Sequence, residues 1–276
     1  MILITGANGQ LGTELRYYLD ELNLDYLSTD VDNLDITNEK AVFDLFSRVK
    51  PNLVFHCAAY TAVDKAEDEG KELNYCVNVI GTKNIARATE IFGGKLVYVS
   101  TDYVFDGTKM EEYLPEDKTN PQSEYGKTKL CGEAIVDEFC SQYYIIRTSW
   151  VFGNYGHNFV FTMQNLAKKL SRLTVVDDQI GRPTWTRTLA EFMVHVVESG
   201  SDYGVYHLSN DGSCSWFEFA CEILRGVDVV IAPVSSDEFP QKANRPKHSV
   251  MSLEKARAIG FVIPMWQDAL RMMLGD

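Results

Sequence analysis

The sequence predicts an α/β fold, a doubly wound parallel sheet followed by a smaller C-terminal lobe. Three observations carry this. Short apolar runs alternate with helix-periodic stretches from the first residue onward. A glycine-rich turn separates the first apolar run from the first helix. The alternation then loosens after Trp150. Strands that alternate with helices need crossover connections, which make the sheet parallel and cover both its faces.

Residues 1–5 are apolar and stop at Gly6, a buried-strand signal. Leu11, Leu15, Leu19 and Leu22 follow at helical spacing over 10–22. Residues 24–30 read as a second strand. From Asn38 to Val49, Ala41, Val42, Leu45, Phe46 and Val49 share one helical face, and Pro51 precedes a third strand at 53–57. A long helix over 74–92 ends at Gly93-Gly94, a C-terminal glycine signal. Residues 96–100 form a fourth strand, 123–141 a helix and 143–147 a fifth strand. Beyond Trp150, helices near 158–171 and 186–199 alternate with strands near 173–176 and 205–208. Short helices around Pro233, Pro240 and Pro246 complete the chain. The expected organisation is 1–150 as one domain, joined in its sheet by the two later strands, with 151–276 mainly a packed lobe.

The 276 residues exceed the roughly 150 typical of one domain. Hydrophobic residues at 45% and charged residues at 24% exclude a disordered chain. Asp plus Glu number 39 against 26 Lys plus Arg, a net charge of −13, which argues against a nucleic-acid surface. A local basic pocket for a small anion stays open. There is no apolar run long enough for a membrane span, and the N-terminus reads as a strand, not a signal peptide. The six cysteines show no CxxC pair and no zinc spacing, as expected of free thiols in a reducing cytoplasm.

Gly6-Ala7-Asn8-Gly9-Gln10-Leu11-Gly12 places G-x-x-G-x-x-G between a strand and a helix. Glycines let the backbone turn sharply and approach a pyrophosphate, and the helix start aims free N–H groups at it. This is the Rossmann-type arrangement for a nicotinamide dinucleotide. An acid about 20 residues on is needed for the adenosine ribose. Asp30 supplies it, and Ser28 to Asn38 contains no Lys or Arg. NADH is therefore expected to serve at least as well as NADPH. The other reading of Asp30 and Asp35 is as turn residues.

Of fourteen tyrosines, only Tyr125 has a lysine four positions later, Lys129. On a helix both share a face. A nearby ammonium lowers a phenol's pKa, which makes Tyr125 a general acid. The fourth strand ends in Ser100-Thr101-Asp102. Parallel sheets present their sites at that edge, where Thr101 can donate to a substrate carbonyl.

The glycine loop, Thr101 and Tyr125-x-x-x-Lys129 together resemble the extended short-chain dehydrogenase/reductase superfamily and, within it, the dTDP-4-dehydrorhamnose reductases. Further strings carry the likeness: Ala58-Ala59-Tyr60-Thr61-Ala62-Val63-Asp64, Ser100-Thr101-Asp102-Tyr103-Val104-Phe105-Asp106-Gly107, Arg147-Thr148-Ser149-Trp150, Asp178-Gln179-Ile180-Gly181-Arg182-Pro183-Thr184 and Asn244-Arg245-Pro246. The resemblance implies a smaller C-terminal substrate-binding lobe for a nucleotide-sugar. It implies pyrophosphate contacts from Gly9, Gln10 and Leu11, and adenosine contacts from Asp30, Asp35 and Ile36. Ala59, Tyr60, Thr61 and Val99 would line the coenzyme, with Tyr125 and Lys129 on its ribose. Thr101, Asp102 and Trp150 would contact the deoxysugar, with Asn158 and Gln179 as further contacts. The implied reaction is reduction of a 4-keto sugar by NADH or NADPH. Tyr125 gives the proton, Thr101 steadies the oxygen and Lys129 keeps Tyr125 acidic.

A diphosphate needs cations, and Arg182, Arg245, Lys242 and Lys247 are the candidates. Some relatives bridge a dimer through magnesium held by glutamates. Glu14 matches one such position, but Arg187 and Gln267 stand at the others, so no metal and a monomer are expected. A 4,6-dehydratase would need an acid after Asp102, where this chain has Tyr103. An epimerase would retain its coenzyme through purification. A non-catalytic regulatory subunit would have no use for an intact Thr101–Tyr125–Lys129 set.

Overall fold

The computed structural model describes residues 1–239 and 241–275; Pro240, within the expected tail helices, lies outside them. The first half runs β1 (Ile2–Thr5), α1 (Gln10–Glu21), β2 (Tyr26–Thr29), α2 (Glu39–Val49), β3 (Leu53–His56) and α3 (Lys71–Tyr75). A π turn at Cys76–Gly81 carries α3 into α4 (Thr82–Ile91), followed by β4 (Lys95–Thr101), α5 (Glu124–Phe139) and β5 (Tyr143–Thr148). The second half runs β6 (Val151–Phe152), α6 (Phe159–Ala167), β7 (Arg172–Val176), β8 (Ile180–Gly181), β9 (Thr184–Trp185), α7 (Thr186–Glu198) and β10 (Gly204–His207). It ends with β11 (Cys214–Ser215), α8 (Trp216–Ile223), β12 (Val230–Val234), α9 (Glu254–Ala258) and α10 (Trp266–Leu274).

Local chemistry sets the helix ends. Asn38 caps α2 by accepting from the Ala41 amide, and Ser123 caps α5 by accepting from Gly126. Ser215 and Glu218 form a reciprocal capping box on α8.

One six-stranded parallel sheet has the order β2-β1-β3-β4-β5-β10. Its order reverses between β1 and β3, and open parallel sheets bind ligands beyond the strand ends at such a point. On one face α1 and α7 bury Leu15, Leu19, Leu189, Phe192 and Met193 against Ile4, Phe55 and Val97. On the other, α2, α4 and α5 contribute Phe46, Ile85, Ala86 and Val136. Each fully buried side chain of this size contributes about 1.5–3 kcal/mol. A third core, with Phe152, Val160, Leu173, Phe219, Trp266 and Leu270, belongs to the lobe.

Two expectations about the later strands are corrected. β10 joins the main sheet beside β5, but β7 does not. β7 pairs in parallel with β12 in a separate two-stranded sheet within the lobe. The tail around Pro233 is that second strand, not a helix. Proline is tolerated there because β12 has only one paired edge. Among the described residues, no helix is long and apolar enough to cross a membrane.

Candidate active site

The loops after β1 and β3 meet at the reversal point. A Cβ on Gly6, whose φ is +68°, would lie 2.5 Å from the Ala58 amide. A Cβ on Gly12 would lie 2.2 Å from the Gly6 carbonyl oxygen. Both glycines are thus demanded by close backbone approach. No side chain caps the start of α1 at Gly9, so its first amides stay available to an anion. A dinucleotide pyrophosphate fits this cradle. Asn78, within the π turn, holds the next wall: its amide pairs with both the N–H and the carbonyl of Tyr60. That fixes Ala59 and Tyr60 beside the cradle, with Thr61 exposed at its rim.

Asp30 and Asp35 are both engaged locally. One Asp30 oxygen accepts from the Asn8 amide at 2.8 Å and the other from Val31. Asp35 accepts from the amide and hydroxyl of Thr37. Asp30 therefore braces the glycine loop itself, and Asp35 closes a turn that seats the buried Ile36 against Gly81. The stretch without Lys or Arg in sequence also acquires a cation in space. Arg16 of α1 reaches the Asn8 side chain at 3.4 Å.

Tyr125, Thr101, Asp102 and Lys129 converge at the C-terminal end of β4. Tyr125 is 9% exposed. Its ring meets Tyr103 edge-on, with centroids 5.6 Å apart. Burial, then the Asp102 carboxylate, push its phenol well above the usual tyrosine range, while the Thr101 hydroxyl pulls the other way. The expectation that Lys129 acidifies Tyr125 is therefore corrected. Lys129 instead donates to the Val99 carbonyl at 2.7 Å and sits 4.1 Å from the centre of the Tyr98 ring. Burial lowers its pKa to about 7, opposed by the Glu133 carboxylate. Glu133 is tied to Ser100 and, through a buried ion pair, to Arg147. Asp102 is 2% exposed; Thr101 donates to its Oδ1 at 3.0 Å, and its Oδ2 has no partner. Burial raises its pKa to about 6, against hydrogen bonds from Ser249 and Thr101.

A cleft of about 260 Å³ opens in the lobe, lined by Phe159, Met163, Val175, Trp216, Phe239 and Arg245 among others. Arg245 links it to the phenol. Its Nη1 donates to the Tyr103 hydroxyl and its Nη2 to Asp64, each at 2.7 Å, while its buried Nε has no partner. The other three cations are committed elsewhere. Arg182 is buried, bonding the Met251 carbonyl and Glu112, with its Nε also without a partner. Lys242 pairs with Asp68, and Lys247 lies 3.6 Å from Asp178. Trp150 stacks on Trp216 at 3.7 Å between centroids, with a left-handed φ of +48°. A non-glycine residue in that region is held there by its surroundings. Asn158 spends its side chain capping α6 and bonding Gln10, and Gln179 is buried beside β8.

The whole chain, residues 1–276, matches the family described as RmlD substrate binding domain. It is 46% identical to a dTDP-4-dehydrorhamnose reductase of known structure from Clostridium acetobutylicum, with a TM-score of 0.96 over 99% of this chain and 98% of that one. It is 43% identical to the Bacillus anthracis dTDP-4-dehydrorhamnose reductase solved in complex with NADP, with a TM-score of 0.95 over the same shares of both chains. A spore coat polysaccharide biosynthesis protein of Bacillus subtilis is 38% identical across 100% of this chain and 97% of its own length.

The chain belongs to the RmlD substrate binding domain family. In this RmlD-family member, Trp216, Tyr103, Asp64 and Asn78 line or brace the candidate site, and sequence reasoning did not single them out. Asn74 and Asn78 were findable as two amides one turn apart, and they bond each other. Trp216 carried no such signal. At the position raised for metal in some relatives, the Arg187 guanidinium stands 3.7 Å from Glu14 and also pairs with Glu21 and Glu191.

Proposed function

We propose that this protein reduces the 4-keto group of dTDP-4-dehydro-L-rhamnose to give dTDP-L-rhamnose, the last step of dTDP-rhamnose biosynthesis for cell-surface polysaccharide. One observation supports the reading most: a buried phenol with Thr101 beside it stands at the C-terminal end of β4 and is linked through Tyr103 and Arg245 to the lobe cleft. Residues 1–150 hold the coenzyme and 151–276 mainly the nucleotide-sugar.

When bound, the nicotinamide supplies the hydride. Tyr125 gives its phenolic proton to the developing alkoxide, and the Thr101 hydroxyl, turned away from Asp102, donates its one proton to that same oxygen. Lys129 serves the coenzyme ribose. Asp102 presents its free carboxylate oxygen to sugar hydroxyls, and Arg245 presents its free Nε to the diphosphate. Trp150 and Trp216 form an apolar wall for the sugar and nucleotide. The setting is the cytoplasm, in keeping with six free thiols. Arg187 in place of an acid favours a monomer without a structural metal. The test is loss of reduced-nicotinamide absorbance when the purified protein meets dTDP-4-dehydro-L-rhamnose. Oxidation with stoichiometric dTDP-L-rhamnose is expected, and no turnover with either coenzyme overturns the reading.

NADH is expected to reach a kcat/KM at least equal to that of NADPH, because Ser28 to Asn38 carries Asp30 and Asp35 and no Lys or Arg. Arg16 reaches the side chain of Asn8, whose backbone amide bonds Asp30, and favours a 2′-phosphate. Arg16→Ala should therefore raise the NADH-to-NADPH ratio about threefold, the worth of an exposed ion contact. A parent enzyme that strongly prefers NADPH refutes the first expectation; an unmoved ratio in the variant refutes the second.

A further inference from the structure

The segment from Trp150 to Asn158 touches both halves of the site. At one end Trp150 stacks on Trp216, a wall of the lobe cleft. At the other, Asn158 begins α6, whose Phe159 and Met163 line the same cleft. Between them the chain crosses the start of α1. A Cβ on Gly156 would lie 3.3 Å from the Gln10 Cβ, and Tyr155 stacks on Tyr17 of α1 with centroids 5.2 Å apart.

Gln10 is the tie. Its Oε1 accepts from Asn158 Nδ2 at 3.0 Å, and its Nε2 donates to the Val151 carbonyl at 3.3 Å. The amide orientations are fixed by the network. Asn158 Oδ1 is used by the Phe161 amide at the α6 cap, and Nδ2 also donates to the Gly153 carbonyl. Asn158 must therefore point a donor at Gln10, and Gln10 must answer with its oxygen. Gln10 is the first residue of α1, in the glycine loop, and does not line the lobe cleft.

We propose that Gln10 is a positioning residue for the nucleotide-sugar cleft, acting through Asn158 and the 150–158 segment. It deepens the proposed function and rests on it. The Gln10 amide supplies the side-chain hydrogen bonds between the glycine loop and the cleft wall, so a change at the coenzyme end alters the fit of the nucleotide-sugar. The segment crosses from one half of the site to the other, and Gln10 holds it at both Val151 and Asn158. Without that hold, the α6 start and Trp150 lose their fixed relation to α1, and the cleft must be ordered by the ligand itself.

The test is calorimetric titration of the full chain with dTDP in the absence of coenzyme, then separately with NADPH. Gln10→Met keeps the length and removes both hydrogen bonds. It should raise the dTDP Kd about threefold to tenfold, the worth of one or two hydrogen bonds. Gln10→Glu keeps the acceptor for Asn158 and adds charge beside the pyrophosphate cradle. It loses the bond to the Val151 carbonyl, so it should restore only part of the dTDP affinity lost in Gln10→Met while weakening NADPH about tenfold. That separation is something general damage to the fold does not produce. Asn158→Ser reads the same bond from the other end, since serine keeps the helix cap but is too short to reach Gln10. It should weaken dTDP as Gln10→Met does. A dTDP Kd unmoved by Gln10→Met, or weakened equally by Met and Glu, overturns the proposal. A parent protein that binds NADPH but not dTDP overturns instead the function on which it rests.

Discussion

Tyr125→Phe is expected to fold as the parent does and to lose about a hundredfold to ten-thousandfold in kcat, the worth of a positioned proton donor. The ring keeps its edge-on contact with Tyr103, and only the hydroxyl goes. Burial and the Asp102 carboxylate hold that hydroxyl well above the usual tyrosine range, so at neutral pH it carries its proton. A reduction needs that form, because the alkoxide left by hydride addition must be protonated as it develops. The hydroxyl's contribution is made in the transition state, so KM should move little while kcat and kcat/KM fall together. Steady-state oxidation of the reduced coenzyme, alongside a thermal melt to show intact folding, checks this. A phenylalanine variant with parental kcat would remove Tyr125 from the chemistry.

Much of the sheet was readable because its signals are local. Each of β1 to β5 is a short apolar run closed by glycine, proline or a polar cluster, and every one lies within about two residues of the stretch that announces it. β7 was not assignable to its sheet. A buried run such as Leu173 to Val176 looks the same whichever sheet it enters, and its partner β12 carries Pro233, which reads as a break. The π turn was equally hidden, since one extra residue in a helical turn leaves the apolar pattern almost unchanged.

The site divides along the same line. Tyr125 and Lys129 are placed by spacing within one helix, and Thr101 by its position at a strand end. What Lys129 does with its ammonium was not legible. A shared helix face fixes where two side chains start, not where a four-carbon stem ends, and this one ends on Val99. The phosphate cations show the limit most sharply. Arg182 and Arg245 look alike beside their prolines. Only the fold gives the first the Met251 carbonyl and Glu112 and brings the second to Tyr103 and Asp64, 142 and 181 residues away in sequence.

Asp102→Asn is expected to melt higher and turn over more slowly. Burial lifts the Asp102 carboxyl from 3.8 to about 6 despite help from Ser249 and Thr101. In the unfolded chain it ionises near its ordinary value. A raised acid of this kind contributes stability that is full below the unfolded pKa and lost as pH rises through the folded one. Above about pH 6 the folded protein therefore carries a charge it holds at a cost of about 3 kcal/mol, each tenfold loss of acidity costing roughly 1.4 kcal/mol. Asparagine removes that cost. Melts at about pH 4 should nearly coincide, and at about pH 8 the variant should be several degrees more stable. The carboxylate is kept in spite of this because its free oxygen, with no partner in the protein, is the acceptor offered to the sugar hydroxyls. Losing a charged acceptor should lower kcat/KM about tenfold to a hundredfold. Coincident melts at both pH values would show that the charge is not strained in the fold, and parental kcat/KM would show that the free oxygen meets no substrate.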